Sequence, residues 1–583
     1  MLLSIAYYPG KGLVSAGREP ASVHAVESEA SVVGDNAIHL VISDRAQRTP
    51  NRRLVVEADG RVYTYSDFQK SVLDWYVALE LLGCGPETRV GVMLPTTAVP
   101  YAIQTACGWL NATCVFINPL LHGRTLDHAI VTSSIGILVV ALESSESAVH
   151  SVESIEGQPL VIALFDSEVP SLVAVSVSGT GSGPDNFGRH HNLLGRNASM
   201  RAPLPQGEME TIVFTSGTTG PSKPIRLSEP TLRGYGRGML LRSYHALPAD
   251  SGYYSPWSPA HVLGTSALHT AVAGGLQLVV RRKFSADFFW SDIRQFDCKY
   301  TVMIAVASTI WDLPATESDA DNPLELVGMA PLIPESKAFA RRFGVDVASI
   351  YGMSELGPFL TTLNPDDYRV TGSPSAGYEC RLLSSSDEIV PDGEVGELQV
   401  RPSIPVGDYD GLSTAGDKSW KGGWFRTGDL FVRDGDQYRL VGRVKDSIRR
   451  RGRNISAYEV EVEVRDIQGV ADCACIAVAG EGRRDPAEEE IRIFVVLRTN
   501  QDLQPSDIVA ALRNQLPDFM LPRYIDLVGS LPRTLSGKIQ KSELRQSPLG
   551  AGTWDRKRHP SSMSDPTSEQ SETVPPLRSA WPR

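Results

Sequence analysis

The 583-residue sequence has few cysteines and no long apolar run. Its seven cysteines are scattered, and their spacing matches no metal-binding pattern, so neither a disulfide framework nor a zinc site is predicted. No apolar run reaches the roughly 20 residues that a membrane-spanning helix needs. The first residues lack the basic leader and full apolar segment of a signal peptide. We therefore expect a cytoplasmic protein without a membrane partner.

The sequence also lacks an excess of basic residues. Its 56 Lys and Arg residues stand against 68 Asp and Glu residues, which gives a formal net charge of −12. Nucleic acids and anionic membranes favour basic protein faces, so neither is the expected main partner. The chain is too long for one ordinary domain, and its 42% of hydrophobic residues suffices for several cores.

Short apolar runs alternate with amphipathic stretches over residues 37–444. The runs VGVML, ILVVAL, LVIALF, LQLVVRR and YTVMIAV are typical of buried strands, and FSADFFWSDIRQF is typical of a helix between strands. This alternation predicts an α/β fold with helices covering parallel sheets. From about residue 376, strands punctuated by Gly and Pro predict a smaller β-rich subdomain.

The rest of the chain divides into three further parts. Residues 445–546 predict a small α+β domain, in which EVEVRDIQGV forms a helix and ACIAVAG and EIRIFVVLR form strands. Residues 1–36 are small, polar and aperiodic, which predicts a loose N-terminal arm. Residues 547–583 are rich in Ser, Pro and charge, and this composition predicts a disordered tail.

The stretch TIVFTSGTTGPSKP joins an apolar strand to a loop of glycines and hydroxyls. Glycines let backbone N–H groups point inward, hydroxyls add donors and a lysine adds charge, which together make a cradle for phosphates. The spacing differs from that of a Walker loop, and a solvated turn is the alternative interpretation. The candidate phosphate-binding residues are Thr215, Ser216, Gly217, Thr218, Thr219, Gly220 and Lys223.

The stretch SIYGMSELG follows another apolar run. A carboxylate and a hydroxyl just past a strand end suit Mg²⁺ that bridges phosphates, and an aromatic ring beside a glycine offers a face for a purine. Taken alone, the pattern is equally typical of a structural turn. The candidate residues are Tyr351, Gly352, Met353, Ser354 and Glu355.

Three later stretches add candidates near the end of the chain. In GWFRTGDL, Asp429 follows a Thr-Gly pair that predicts a tight turn, where its carboxylate can accept two ribose hydroxyl protons. GRVKDSIRRRGRN supplies Arg443, Lys445 and Gly452, and its arginines predict either a contact with phosphates or a solvated charged face. LPRTLSGKIQK presents Lys538 after a Ser-Gly pair.

Together and in this order, these motifs resemble those of the adenylate-forming superfamily, which includes acyl-CoA synthetases, nonribosomal peptide synthetase adenylation domains and beetle luciferases. The resemblance extends from about residue 40 to about residue 545. The closing KSELRQSPLGAGTWDR is similar to the carnitine/crotonobetaine-CoA ligase-like branch. The resemblance implies a large N-terminal domain with two parallel-sheet αβα subdomains and a β-rich subdomain, plus a small mobile α+β C-terminal domain.

The resemblance also implies where the nucleotide would bind. Thr215 to Lys223 would hold the ATP phosphates, and Glu355 would bind Mg²⁺. Asp429 and Arg443 would bind the ribose. Adenine would lie between Tyr351 and the segment that contains Gly328, Met329 and Ala330.

Four further residues receive roles by the same resemblance. His261, in SPAHVLG, matches the position of the gate of the acyl pocket, although a lone histidine is more often simply packed. Lys445 would be the hinge between the domains. Lys538 would be the catalytic lysine, and Gly452 would line the tunnel for the pantetheine thiol.

The implied activity is that of an acyl-CoA ligase, which uses ATP, Mg²⁺ and coenzyme A with a small-molecule carboxylic acid. A carrier protein is a less favoured thiol donor, and a homodimer is left open. Two alternatives remain: a relative competent mainly in one half-reaction, and a non-catalytic binder of acyl-adenylates. Pro224 departs from the family, which usually has Gly there, and we expect it to stiffen the loop or withhold an amide from the phosphates.

Overall fold

The computed structural model describes 13 stretches of the chain. They are residues 36–155, 160–166, 171–177, 194, 209–215, 222–240, 247–410, 419–450, 453–479, 489–513, 515–534, 537–550 and 552–558. The predicted arm over residues 1–36 lies outside them except for its last residue. Among the helices in these stretches, none is both long enough and apolar enough to cross a bilayer.

The strands of the larger, N-terminal part are β1 (Arg53–Glu57), β2 (Val62–Thr64), β3 (Arg89–Met93), β4 (Thr113–Phe116), β5 (Ile137–Ala141), β6 (Leu160–Asp166), β7 (Ser171–Val177), β8 (Glu210–Phe214), β9 (Pro224–Ser228), β10 (Gly252–Tyr254), β11 (Gln277–Val280), β12 (Cys298–Ile304), β13 (Leu326–Ala330), β14 (Asp346–Met353), β15 (Gly357–Leu363), β16 (Val370–Pro374), β17 (Tyr378–Leu383), β18 (Val395–Pro402), β19 (Asp408–Tyr409), β20 (Trp420–Lys421), β21 (Trp424–Asp434) and β22 (Gln437–Arg443).

The helices of this part are α1 (Ile38–Arg48), α2 (Tyr65–Leu81), α3 (Ala98–Trp109), α4 (Arg124–Thr132), α5 (Ser145–Ser154), α6 (Glu229–Met239), α7 (Val262–Thr265), α8 (Ala267–Gly274), α9 (Ala286–Gln295), α10 (Ala307–Trp311) and α11 (Ser336–Phe343), with a 3-10 turn at Leu142–Ser144.

Two large sheets organise the N-terminal part. Within the described stretches, the first has the order β19-β9-β8-β4-β3-β5-β6-β7, and its strands from β8 to β6 are parallel. The second has the order β17-β18-β21-β22-β16-β15-β14-β13-β12-β10-β11-β1-β2, with β20 paired to β21. Its strands from β14 to β1 are parallel. Strands such as β5 are buried along their whole length, as expected when helices cover both faces.

The predicted α/β fold is confirmed. The apolar runs named above form β3, β5, β6, β11 and β12, and FSADFFWSDIRQF contains α9. The predicted β-rich subdomain consists of β16 to β18 and β20 to β22, which are antiparallel. It is continuous with the second sheet, because β16 pairs with β15 on one side and β22 on the other.

The C-terminal part is a small α+β unit. It begins with a 3-10 turn at Val444–Asp446 and continues as β23 (Ser447–Arg450), β24 (Arg453–Ser456), α12 (Ala457–Arg465), β25 (Val470–Ala479), β26 (Glu489–Leu497), α13 (Pro505–Leu512), a 3-10 turn at Asp518–Met520, β27 (Tyr524–Leu527), α14 (Lys541–Gln546) and β28 (Trp554–Asp555). Strands β25 to β28 form one sheet, and β23 and β24 form a hairpin.

Two expectations for this part need correction. The helix predicted from EVEVRDIQGV starts four residues earlier, because the Ser456 side chain caps it by accepting the Glu459 N–H, and it ends at Arg465. The tail predicted to be disordered from residue 547 is instead ordered through its first residues. Strand β28 pairs with β27, and its Asp555 forms a buried ion pair with Arg523 at 3.3 Å.

Candidate functional site

The carboxylate of Asp429, in β21, is held by Tyr351 in β14 and by Arg443 in the adjacent strand β22 of the second sheet. The Tyr351 hydroxyl donates to one Asp429 oxygen, and Arg443 Nε lies 2.7 Å from the other. Burial raises the pKa of the Asp429 carboxyl, although Arg443, Tyr351 and Lys538 act in the opposite direction. The pair Asp429–Arg443 is set by the register of β21 and β22, where the two residues are direct partners.

Asp429 lies inside a continuous strand, so the Thr-Gly pair that precedes it does not form the predicted tight turn. Strand β21 runs from Trp424 to Asp434, and its register against β18 shifts in the region of Gly428. Gly428 has a φ of 70°, a conformation that favours glycine. The irregularity is therefore a bulge that turns the following Asp429 toward Tyr351 and Arg443.

The Tyr351 ring is fixed by two aromatic neighbours. Its centroid lies 5.2 Å from that of Phe359 and 5.2 Å from that of Phe431, both in edge-on geometry. Gly352 follows near the end of β14, where a Cβ would lie 2.2 Å from the Gly357 carbonyl oxygen. The glycine beside the tyrosine is thus required by backbone packing.

Glu355 is held through both its backbone and its side chain. Its carbonyl oxygen accepts the Tyr235 hydroxyl at 2.7 Å and the Gly407 N–H at 2.8 Å. Its carboxylate Oε1 accepts the Tyr409 hydroxyl at 2.5 Å. Met353 packs partly buried against the aromatic cluster behind Tyr351, and the Ser354 carbonyl lies 3.4 Å from the Tyr235 hydroxyl.

The two ends of the predicted phosphate cradle meet at the start of the β8–β9 hairpin. The Thr215 N–H donates to the Lys223 carbonyl at 2.9 Å, and the Lys223 N–H donates to Thr215 Oγ1 at 3.2 Å. Lys223 Nζ lies over the Tyr409 ring, 4.9 Å from its centroid. The rest of the cradle lies outside the described residues, namely Ser216, Gly217, Thr218, Thr219 and Gly220.

Pro224 is the first residue of β9 and faces the edge strand β19. Its carbonyl accepts the Asp410 N–H at 3.0 Å. Because the nitrogen and carbonyl of one strand residue point to the same side, the Pro224 nitrogen also faces β19. The donor that proline lacks would have belonged to strand pairing, which the first residue of a strand tolerates losing. The expectation that Pro224 withholds an amide from the phosphates is therefore wrong.

The segment predicted to flank adenine is the end of β13. A Cβ on Gly328 would lie 2.4 Å from Ile350 Cδ1, so glycine allows β13 and β14 to approach. The Met329 side chain is fully buried in the core, and Ala330 at the strand end is partly exposed. The segment thus offers its backbone and Ala330 to a ligand, but not the Met329 side chain.

Lys538 reaches this region from the C-terminal part. It follows Gly537, whose φ is 82°, in a loop where the Lys538 N–H donates to Thr534 Oγ1 at 3.1 Å. Lys538 as a whole residue is exposed to solvent, but desolvation by the surrounding protein lowers the pKa of its ammonium. The charge of Arg443 lowers that pKa further, while Glu355 and Asp429 act to raise it.

His261 lies close enough to Lys538 for the lysine charge to act on its ring. It caps α7, where its Nδ1 accepts the Leu263 N–H at 3.3 Å. Burial lowers the pKa of His261 to about 4, and the Lys538 charge adds to this effect. The neighbouring Gly537 approaches Ala305, since a Cβ on Gly537 would lie 3.5 Å from the Ala305 Cβ.

The structure therefore brings together most of the predicted site residues that it describes. Lys538 interacts electrostatically with Asp429, Arg443, Glu355 and His261, which are distant in sequence. Lys445 lies in the 3-10 turn directly after Arg443, where the chain enters the C-terminal part. Gly452 lies outside the described residues.

Sequence reasoning missed two tyrosines that support Glu355. Tyr235 lies in α6, and Tyr409 lies in the two-residue strand β19. Neither belongs to a pattern that predicts a site, because their contacts depend on how distant elements pack.

The described residues also hold no cluster of three or more Asp, Glu, His or Cys side chains placed to bind a metal. A single carboxylate suits Mg²⁺ that is bound mainly through phosphates and water.

Known proteins share both the sequence pattern and the fold. The sequence model of the AMP-binding enzyme family matches residues 42–404, and that of the AMP-binding enzyme C-terminal domain family matches residues 459–538. Sulfoacetate–CoA ligase from Cupriavidus necator is 27% identical over 521 residues, which cover 86% of this chain and 96% of that protein.

A second relative and a solved structure complete the comparison. Crotonobetaine/carnitine–CoA ligase from Salmonella arizonae is 28% identical over 356 residues, which cover 59% of this chain and 68% of that protein. The crystal structure of ATP-bound MatB from Rhodopseudomonas palustris matches with a TM-score of 0.73 and 20% identity, covering 87% of this chain and 98% of that one. The resemblance drawn from the motifs is confirmed.

Proposed function

The chain belongs to the AMP-binding enzyme family, and on this premise we propose that it is an acyl-CoA ligase. It activates a carboxylic acid with ATP as an acyl-adenylate and transfers the acyl group to the thiol of coenzyme A. The observation that carries the proposal is the position of Lys538, a residue of the C-terminal part, among Asp429, Glu355 and His261 of the N-terminal part.

The nucleotide end of the site is built from Asp429, Arg443 and Tyr351. A buried carboxylate that already holds an arginine and a phenol retains further lone pairs for the ribose hydroxyls. Thr215 and Lys223 lie at the two ends of the cradle. Their side chains supply a hydroxyl and a positive charge for the phosphates. Glu355 would hold Mg²⁺, which neutralises phosphate charge when bound.

In the first half-reaction, an oxygen of the substrate carboxylate attacks the α-phosphorus of ATP and pyrophosphate leaves. Carboxylate and phosphate repel each other, so positive charge at the point of attack lowers the barrier. The Lys538 ammonium is close enough to the ribose-binding Asp429 and to the acyl-side His261 to affect the pKa of both, which suits it to this role.

In the second half-reaction, the thiol attacks the acyl carbonyl and AMP leaves. Thiols are intrinsically nucleophilic, so this step needs access and orientation more than activation. We assign the thiol path to the segment that contains Gly452, and the reorientation of the C-terminal part between the two steps to a rotation at Lys445. Coenzyme A is favoured over a carrier protein because the relatives named above are CoA ligases.

The test is to separate the two half-reactions with Lys538→Ala. Pyrophosphate release with ATP and a panel of carboxylic acids should fall by about 10²–10³-fold, because the charge at the reacting phosphate is lost. Thioester formation from supplied acyl-adenylate and CoA should be retained. Lys337→Ala, which removes a solvent-exposed lysine that pairs with Asp366, is the matched control and should leave both steps unchanged.

Two outcomes would contradict the proposal. If the folded wild-type protein binds acyl-adenylate but releases no pyrophosphate with any acid, it is a binding protein. If Lys538→Ala reduces both half-reactions equally, Lys538 does not act in adenylation alone.

A further inference from the structure

We propose that Tyr409 is a positioning residue that couples the Mg²⁺-binding carboxylate of Glu355 to the phosphate-binding ammonium of Lys223. The proposal rests on the proposed function, since it assigns a role within the same ATP site. Tyr409 contacts both groups at once. Its hydroxyl donates to Glu355 Oε1 at 2.5 Å, and Lys223 Nζ lies over its ring, 4.9 Å from the centroid.

The backbone around Tyr409 fixes the position of its ring. In the β19–β9 pair, Asp408 is opposite Arg226 and Tyr409 is opposite Ile225. The next residue, Asp410, donates its N–H to Pro224, so the pairing extends to the residue that directly follows Lys223. The strand register therefore determines that Tyr409 and Lys223 lie side by side.

Contacts on both sides of Tyr409 prevent this short strand from shifting. The Asp410 carboxylate pairs with Arg89 at 2.5 Å and is nearly buried. On the other side, the Gly407 N–H donates to the Glu355 carbonyl, and a Cβ at position 407 would lie 2.8 Å from Ile225 Cγ2. Glycine at 407 thus lets the strand approach both β9 and the backbone of Glu355.

The hydrogen bond to Glu355 has a consequence for metal binding. It fixes the orientation of the Glu355 carboxylate through Oε1, so Oε2 points in a defined direction from which it can bind a cation. Partners that orient a ligating carboxylate typically change metal affinity by about 10–100-fold when they are removed. The Tyr409 hydroxyl should therefore determine how strongly Mg²⁺ strengthens ATP binding.

The ring has a separate consequence for Lys223. An aromatic face attracts an ammonium ion and limits the directions in which a flexible lysine side chain can point. This contact does not involve the metal. The ring should therefore affect ATP binding whether or not Mg²⁺ is present, whereas the hydroxyl should affect it only when Mg²⁺ is present.

The two contacts can be separated with Tyr409→Phe and Tyr409→Leu. ATP affinity is measured by isothermal titration calorimetry in excess Mg²⁺ and in EDTA, without the carboxylic acid or CoA. In Tyr409→Phe, the factor by which Mg²⁺ tightens ATP binding should fall by about tenfold, and affinity in EDTA should be unchanged. In Tyr409→Leu, affinity in EDTA should fall as well, by a few fold, because Lys223 loses its aromatic neighbour.

Tyr438→Phe is the matched control. It removes another buried phenol, which lies in β22 of the second sheet and whose hydroxyl donates to the Cys380 carbonyl at 3.1 Å. It should change ATP affinity in neither condition. Equal losses with and without Mg²⁺ in Tyr409→Phe, or no loss in either, would overturn the proposal, and the Phe variant decides this even if Tyr409→Leu does not fold.

The binding experiment is independent of the proposed activity. If wild-type protein forms acyl-CoA but Tyr409→Phe leaves the Mg²⁺ effect on ATP binding unchanged, the positioning role fails and the ligase function stands. If the Mg²⁺ effect changes as expected but no acid supports pyrophosphate release, the positioning role stands and the proposed function fails.

Discussion

At the scale of single residues, the site places a histidine next to a lysine without adding a second positive charge. His261 uses Nδ1 to accept the Leu263 N–H, so the ring proton of the neutral form is on Nε2. Burial and the Lys538 charge both lower the pKa of His261, to about 4. Near neutral pH, only Lys538 of this pair is charged, and it is the cation available to the substrate carboxylate.

The pKa of His261 predicts a pH dependence of stability. An unfolded histidine titrates near 6.5 and the folded one near 4, so between these values the unfolded state binds more protons. The free energy of unfolding should therefore fall as the pH drops from about 6.5 toward 4, with His261 contributing at most about 3 kcal/mol. Urea denaturation at several pH values measures this slope.

His261→Gln is the comparison that isolates the effect. It should reduce the change in the free energy of unfolding between pH 6.5 and pH 4. His39, whose pKa is also lowered by burial, is present in both proteins and therefore does not contribute to the difference. Lys538→Met should raise the pKa of His261 in an NMR titration, because a neighbouring charge is removed. Identical slopes for wild type and His261→Gln would show that this ring is not depressed in pKa.

At the scale of secondary-structure elements, the sequence predicted the buried strands well and the irregular ones poorly. Strand β5 is a continuous apolar run and β12 is mostly apolar, and these patterns are sufficient to predict both strands. The bulge before Asp429 and the edge strand β19 have no such pattern, because they depend on pairing with strands far away in sequence. Motifs therefore located Asp429 and Glu355, while the two tyrosines that support Glu355 were missed.

The ordered tail was missed for a similar reason. Residues 552–558 contain few apolar side chains, and the composition alone predicts disorder. The structure orders them through charge: Asp555 pairs with Arg523, and Lys557 Nζ lies 3.4 Å from the buried Glu490. Glu490 in turn lies 2.8 Å from Arg450 at the end of β23. Strand β28 is therefore linked to the hairpin that leads toward Gly452.

Asp555→Asn tests the contribution of this strand. Removing the charge of one partner from a buried ion pair should lower the free energy of unfolding by about 3–5 kcal/mol, measured by urea denaturation at neutral pH. Asp518→Asn is the matched control, because Asp518 is 66% exposed and pairs with Arg556 in the same part of the chain. That change should cost no more than about 1 kcal/mol. Equal effects of the two substitutions would show that β28 does not stabilise the C-terminal part.

At the scale of the whole molecule, the C-terminal part is oriented by polar contacts with the N-terminal part. Arg498 Nη1 lies 2.7 Å from Asp312, and its Nη2 lies 3.1 Å from Glu335. The Tyr368 hydroxyl donates to Asp466 at 2.7 Å. These contacts are present in the orientation of the C-terminal part that brings Lys538 to the site. Because their groups are partly exposed, breaking the contacts should cost little free energy.

Arg498→Met should slow adenylation, the step that needs the C-terminal part in this orientation. Losing two partly exposed ion pairs should reduce pyrophosphate release by about three- to tenfold, because each such pair contributes up to about 1 kcal/mol. Thioester formation from supplied acyl-adenylate should not fall. The wild-type rate of pyrophosphate release should also decrease with added salt more than that of the variant.

Charge reversal provides the control for this prediction. Arg498→Glu should be worse than Arg498→Met, since it faces two carboxylates, and adding Asp312→Arg should restore part of the rate. Arg401→Met removes an exposed ion pair with Glu379 within the N-terminal part and should have no effect. Wild-type rates in all Arg498 variants would exclude a role for this contact in orienting the C-terminal part.

The pairing of β1 with β11 also affects how this chain is made. Val55 in β1 is opposite Leu278 in β11, about 220 residues later in the chain, and nearly all of β1 is buried. At about 5–20 residues per second, a ribosome needs roughly 10–45 s to synthesise that interval. Until then, β1 lacks its parallel neighbour, so its apolar residues are exposed to aggregation for longer than those of strands that pair with nearer segments. The nascent chain is therefore expected to depend on chaperones most during this interval.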